Sequence, residues 1–216
     1  MAIFIQPHIL AAKRARWGKR RAGGNLEQGT PVLMGGLVAW RGLFTPTGLD
    51  AIIAHADSLA LGQAELSSLR HDRTIRETQI AWFPRDAPTE PLYRRMEEIV
   101  LALNAQFFRF DLSGLVTFQY AVYRGAGHFD WHKDYGRDPH DPRQEPRKLT
   151  LSLQLSESSD YDGCDLEVRA GNAIDRAPRE RGTLIAFPAN VLHRVTPITS
   201  GVRKALVIWA AGPEFR

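Results

Sequence analysis

The sequence predicts an α+β fold, a sandwich or jelly-roll core of short strands with helices packed on one side. From about Leu115 the chain breaks into short apolar runs separated by glycine, proline and aspartate, the spacing of such a core. Within one run, KLTLSLQL at 148–155, apolar and polar side chains alternate strictly, as in a strand with two different faces. Ahead of Leu115 lie two segments of helical periodicity, so helices precede strands instead of alternating with them.

With 216 residues, 44% hydrophobic and 24% charged, the chain can bury one full core. No apolar run approaches the roughly 18 residues of a membrane span, so no membrane partner is expected. The single cysteine, Cys164, excludes an internal disulfide and fits a reducing, cytoplasmic compartment. The net charge of +4 is local: residues 1–26 hold six basic side chains and no acid, leaving 22 basic against 24 acidic in the rest. Residues 1–26 read as a mobile, solvated extension, and 27–216 as a single domain with a helical lead-in (27–115) and a strand-rich core (116–210). The extension's charge could engage nucleic acid or an acidic surface, and its Arg-rich, acid-poor make-up resembles an organellar presequence without the serines. The near-neutral body has no aromatic–basic interleaving, so it is not expected to bind nucleic acid. Nucleophile elbow, P-loop and paired-carboxylate motifs are all missing from the sequence.

Taken in order, PVLMGGLVAW (31–40) is apolar enough to pack, but its two glycines leave helix and strand both open. Thr47 is placed to cap a helix over about Gly48–Leu61, with Leu49, Ile52, Ile53 and Ala56 on one face and Gly62 at its end. Residues 74–83 alternate as a strand. Thr89-Glu-Pro then opens a second helix whose buried stripe is Leu92, Met96, Ile99, Val100 and Leu103. Seven strands are expected beyond it: Val116–Arg124, Phe129–Lys133, Lys148–Ser156, Asp165–Ala170, Thr183–Phe187, His193–Thr196 and Val202–Ala210.

Chemistry concentrates in Tyr123–Tyr135, YRGAGHFDWHKDY. In an extended strand His128, Asp130, His132 and Asp134 would all project to one side. Four metal-capable groups on one face are costly to bury unless something binds there. His193, far downstream, could complete a set of two histidines and one carboxylate. That set leaves coordination positions open, as in non-haem Fe(II) oxygenases, although it would also accept Zn(II) or Co(II). Spacing does not choose the pair, because His128-Phe-Asp130 and His132-Lys-Asp134 are alike.

Two strands add detail. In 148–155 the leucines face one way and Thr150, Ser152 and Gln154 the other, toward solvent or into a cavity. In the last strand Arg203, Ala205, Val207 and Trp209 share a face, which would suit an inward row anchoring a carboxylate.

The motifs YRGAGHFDWHKD, RKLTLSLQLS, YDGCDLEV and GTLIAFPANVLHRVTPITSGVRKALVIW, in this order, resemble the Fe(II)- and 2-oxoglutarate-dependent dioxygenases of the prolyl and lysyl hydroxylase branch. The resemblance covers about Val116–Trp209, with a looser lead-in from about Leu43. It implies a double-stranded β-helix (jelly-roll) core, Fe(II) as metal, and 2-oxoglutarate and O2 as cosubstrates. It also implies His132, Asp134 and His193 as iron ligands, and Arg203, ten residues after His193, as the partner of the distal 2-oxoglutarate carboxylate. Gln154 stands where relatives often have a tyrosine reaching that carboxylate, and Tyr123 is a cosubstrate or substrate contact or else a core tyrosine. His128 and Asp130 become entrance groups, Asp130 contacting substrate, or plain loop polarity. Arg194 orients substrate or is simply exposed. Cys164 stands where a second glycine is common.

The activity implied is hydroxylation of an unactivated C–H bond, of an amino-acid side chain in a protein or peptide. Hydroxylation of a free amino acid or small metabolite, or a non-catalytic metal-binding jelly roll, are the alternatives. Specificity is expected from residues 24–90, the loop Gly136–Arg147 as a mobile lid, and Gly171–Arg181. Arginines 137, 143, 147, 176, 179 and 181 near the mouth favour an acidic or carboxylate-bearing substrate, or form a solvated rim.

Overall fold

A computed structural model describes residues 29–64, 74–137 and 144–215. The basic extension 1–26, and half of the expected lid, 138–143, lie outside the described residues.

The chain opens on a hairpin of β1 (Val32–Met34) and β2 (Leu37–Trp40), which settles the PVLMGGLVAW segment as strand. Its two-residue turn needs glycine, since Gly35 has φ +58°. Helix α1 (Pro46–Asp57) begins two residues earlier than expected. Pro46 takes the first turn, and Thr45, not Thr47, is the cap, its hydroxyl accepting from the Gly48 N–H at 3.1 Å. The helix stops at Asp57, and Gly62 belongs to β3 (Gly62–Gln63). The strand expected over 74–83 is broken at Thr78 into β4 (Arg76–Glu77) and β5 (Gln79–Phe83), which join different sheets. Helix α2 (Glu90–Leu103) buries Tyr93, Met96, Ile99, Val100 and Leu103, with Leu92 half-buried, and runs into a π-turn at Asn104–Phe108.

The remaining strands are β6 (Gly114–Leu115), β7 (Phe118–Tyr123), β8 (His128–His132), β9 (Arg147–Gln154), β10 (Tyr161–Gly163), β11 (Leu166–Ala170), β12 (Ala173–Arg176), β13 (Leu184–Pro188), β14 (Leu192–Val195), β15 (Ile198–Gly201) and β16 (Arg203–Ala211). The seven expected strands correspond to β7, β8, β9, β11, β13, β14 and β16. Four short ones, β6, β10, β12 and β15, carry too few residues to show a period.

Among the described residues one large sheet runs β1-β2-β13-β9-β16-β7-β5-β3, with β6 beside β16. A five-stranded sheet runs β12-β11-β14-β8-β4, and β10 pairs with β15. The lead-in is therefore not only helical, since its hairpin and β5 extend the large sheet.

Alternation divides the large sheet's side chains between two cores. Leu149, Leu151, Leu153, Leu206, Ile208, Tyr120 and Val122 pack with both helices. The opposite face contributes Ala121, Tyr123, Ile185 and Phe187 to a second cluster, shared with Leu166, Val168 and Val195 of the small sheet. The two sheets thus face each other, and Thr150, Ser152 and Gln154 are buried between them instead of meeting solvent. Among the described residues no helix is long and apolar enough to cross a membrane.

Candidate metal and carboxylate site

The site lies between the sheets, where β8 and β14 run antiparallel. His193 pairs with His132, and Val195 with Phe129. Between those pairs Asp130 and Trp131 face the single residue Arg194, which makes a β-bulge. The bulge breaks the expected alternation. Phe129 and His132 share the inward face, their rings stacked 3.4 Å apart by centroid, while His128 and Asp130 are left out of the set.

Asp134 follows β8, held by the backbone N–H groups of Asp134 and Tyr135, which both donate to the Ala189 carbonyl. His132, Asp134 and His193 converge, one potential ligand atom from each lying within 4.8 Å of the others. His132 Nδ1 is 2.7 Å from the Asp130 carbonyl, and His193 Nδ1 is 3.1 Å from that of Val191. A carbonyl only accepts, so each Nδ1 carries the hydrogen and each Nε2 presents a lone pair. His193 Nε2 faces Asp134 Oδ2 at 3.4 Å, and His132 Nε2 faces Oδ1 at 3.7 Å. Lone pairs opposed in this way repel unless a proton or cation stands between them. The donor set therefore fits a divalent metal with open positions.

Protonation follows the same geometry. Burial, with the neighbouring His193, pushes His132 down to about 4, so it stays neutral. Burial also opposes charge on His193, but the Asp134 carboxylate outweighs it and raises the pKa. Burial works against the Asp134 charge as well, yet His193 in its protonated form, with the Trp209 indole, holds its carboxyl well below the usual range.

Two residues that sequence reasoning did not assign fix that carboxylate. Thr150 Oγ1 and Trp209 Nε1 both donate to Asp134 Oδ2, at 2.9 and 2.8 Å. Their inward parity on β9 and β16 was readable; their common target was not. Farther along the large sheet, Arg203 is 2% exposed and donates from Nη2 to Gln154 Oε1 at 2.9 Å. Its guanidinium stands 5.4 Å from the ring centroid of Tyr123, which is also buried. The Arg203 Nε is buried without a partner, room for one more acceptor. Gln154 spends its amide N–H on the Pro178 carbonyl at 3.3 Å. His132, Asp134, His193, Arg203, Gln154 and Tyr123 are thus gathered in one interior.

The other expected contacts point elsewhere. His128 is held by the carbonyls of Ala126 and Thr74, and exposed Asp130 accepts the N–H of Trp131. Arg194 donates to Glu167 at 2.8 Å and stacks over Trp131, facing away from His193. The mouth arginines are largely spent within the protein: Arg137 on Glu214, Arg176 on Asp165 and Glu167, Arg179 on Asp165, and Arg181 on Asp50 and Glu157. Arg147 lies over the Trp209 ring, and Arg143 is outside the described residues. Cys164 is buried with φ +53° beside Gly163 at +68°, a left-handed backbone shape that glycine adopts more easily than cysteine.

Residues 118–211 match the family model of the 2OG-Fe(II) oxygenase superfamily. A PKHD-type hydroxylase, PiuC of Pseudomonas aeruginosa, is 36% identical over 89 residues, 40% of this chain and 39% of that protein. A PKHD-type hydroxylase of a Synechococcus strain is 29% identical over 122 residues, 54% of each. The chain thus spans about two fifths to one half of these relatives' length. In fold it is similar to a Pseudomonas putida prolyl-4-hydroxylase, with a TM-score of 0.67 and 22% identity over 82% of this chain and 94% of that one. A Trichoplax adhaerens prolyl hydroxylase, solved with a hypoxia-inducible-factor peptide fragment, also has a TM-score of 0.67, at 18% identity over 82% and 84%. Residues 118–211, the strand-rich part of the chain, are thus similar to the 2OG-Fe(II) oxygenases. The chain's mostly β fold with two helices is that of the prolyl hydroxylases. The superfamily uses Fe(II), 2-oxoglutarate and O2.

Proposed function

We propose that this protein is an Fe(II)- and 2-oxoglutarate-dependent dioxygenase that hydroxylates an unactivated C–H bond of an amino-acid side chain, a prolyl residue of a protein or peptide. The observation that carries this reading is the convergence of His132, Asp134 and His193 in an interior that also buries Arg203. The two facing sheets are read as a double-stranded β-helix, and residues 27–216 as one domain, because β1 and β2 continue the large sheet. A cytoplasmic location rests on the lone cysteine.

His132 and His193, through Nε2, and Asp134 would hold the metal. Thr150 and Trp209 fix the carboxylate, so its orientation is set before anything binds. Arg203 would take the distal carboxylate of 2-oxoglutarate, where burial strengthens a charge-assisted hydrogen bond. Gln154 orients the Arg203 fork, and Tyr123 forms the wall beneath it. When bound, Fe(II) with 2-oxoglutarate and O2 supplies the oxidising power, and no side chain is required as a general acid or base.

The test is anaerobic titration of the apoprotein with Fe(II) and 2-oxoglutarate, followed by visible charge-transfer absorption. The band should appear, disappear in Asp134→Ala, and need far more 2-oxoglutarate in Arg203→Ala. Its failure to appear with metal demonstrably bound would overturn the oxygenase reading in favour of a non-catalytic metal-binding jelly roll.

A further inference from the structure

A second guanidinium is buried in the same interior. Arg76, on β4, pairs with Phe129 of β8, so its side chain leaves the small sheet on the face shared by Phe129 and His132. It is 8% exposed. Its Nη2 donates to Gln119 Oε1 at 2.9 Å, and its Cζ stands 4.4 Å from the centroid of the Phe129 ring that stacks on His132. Gln119 belongs to β7, on the face that carries Ala121 and Tyr123 into the interior, and it pairs with Val207. Arg76 therefore meets the large sheet opposite Val207, two residues from Trp209 and at the metal-ligand end, while Arg203 pairs with Tyr123 at the other end.

Arg76 has no carboxylate partner among the described residues, and its Nε is buried with no hydrogen bond. Burial works against its charge, offset in part by the more distant Tyr123 and Asp134. An amide oxygen and an aromatic face compensate a buried guanidinium poorly; an anion is what its fork matches.

We propose that Arg76 is a second carboxylate anchor, which takes the carboxylate of the primary substrate beside the metal. The substrate then carries its own carboxylate close to the carbon it presents, as the carboxyl-terminal residue of a peptide does. This rests on the reading that His132, Asp134 and His193 hold the metal and that Arg203 serves 2-oxoglutarate. The keto-acid end of 2-oxoglutarate is the other possible source of the carboxylate.

The test is calorimetric binding to the full chain loaded with Zn(II), which supports no turnover. Wild type, Arg76→Gln, Arg76→Lys and Arg203→Gln are compared. The probes are 2-oxoglutarate and pyruvate, then, on protein saturated with 2-oxoglutarate, acetate, benzoate and acetyl-L-proline beside their amides. Wild type should prefer at least one carboxylate over its amide. Arg76→Gln should weaken that carboxylate about tenfold or more, leaving the amide and 2-oxoglutarate unchanged, and Arg76→Lys should recover part of the loss. Arg203→Gln should weaken 2-oxoglutarate instead. If Arg76→Gln weakens 2-oxoglutarate and pyruvate alike, Arg76 serves the cosubstrate and the substrate assignment is overturned. Equal binding of every probe to Arg76→Gln and wild type, or no preference of wild type for carboxylate over amide, overturns the anchor itself. Should Arg76→Gln not retain Zn(II), the Arg76→Lys comparison decides. Absence of Zn(II) binding by wild type would sink the metal reading, a different result.

Discussion

Trp209 donates its indole N–H to Oδ2 of Asp134 at 2.8 Å, across 75 residues of sequence. The bond joins the last strand of the large sheet to the segment just beyond β8. It ties the orientation of the one carboxylate in the His-Asp-His set to the packing of the core.

Trp209→Phe should keep the ring volume and the fold while releasing that oxygen. Metal affinity is expected to fall about 10–100-fold, the usual cost of losing a partner that orients a ligand. Thr150→Val, which removes the other donor, should behave similarly. Competition against a chromogenic chelator measures both, and a melting curve on each apoprotein separates the effect from unfolding.

The bulge at Asp130–Trp131 makes a sharper statement about register. His132→Ala, Asp134→Ala and His193→Ala should each abolish metal retention, whereas His128→Ala and Asp130→Ala should leave stoichiometric metal by elemental analysis. Loss of metal on changing Asp130 but not Asp134 would refute the assignment.

Away from the site, Asp57 receives Lys204 Nζ at 2.7 Å and the Tyr120 hydroxyl at 2.6 Å. Its slight burial opposes ionisation, but these partners hold its pKa below the ordinary carboxylate value. The contribution is therefore present above about pH 4, the range of an unfolded carboxyl. It is lost as pH falls through the lower folded value. Denaturant curves should show Asp57→Asn less stable than wild type at neutral pH, with the gap closing toward pH 3.

Cys164 is fully buried, and its thiol is pushed up to about 11, chiefly by burial. A colorimetric thiol reagent should leave the native protein untouched at pH 8 and react with one thiol per chain in denaturant. Rapid reaction of the native protein would show that this part of the core opens easily.

The sequence by itself determined where the longer strands and both helices lie, because a period of two or of 3.6 is a local property of the chain. It also supplied the metal-capable residues and the shared face of Arg203 and Trp209. It left the choice between two His-x-Asp pairs open. That choice turns on a bulge, which exists only when β8 is laid against β14. It could not say whether Thr150 and Gln154 met solvent, since the strand's alternation is the same whichever surface covers that face. The mouth arginines read as free charge because Asp50, Asp165, Glu157 and Glu214 reach them from distant parts of the chain. Arg76 looked like any strand arginine until the break at Thr78 sent β4 to one sheet and β5 to the other. Periodicity is written locally, whereas burial, charge pairing and register belong to surfaces that meet only in the folded chain.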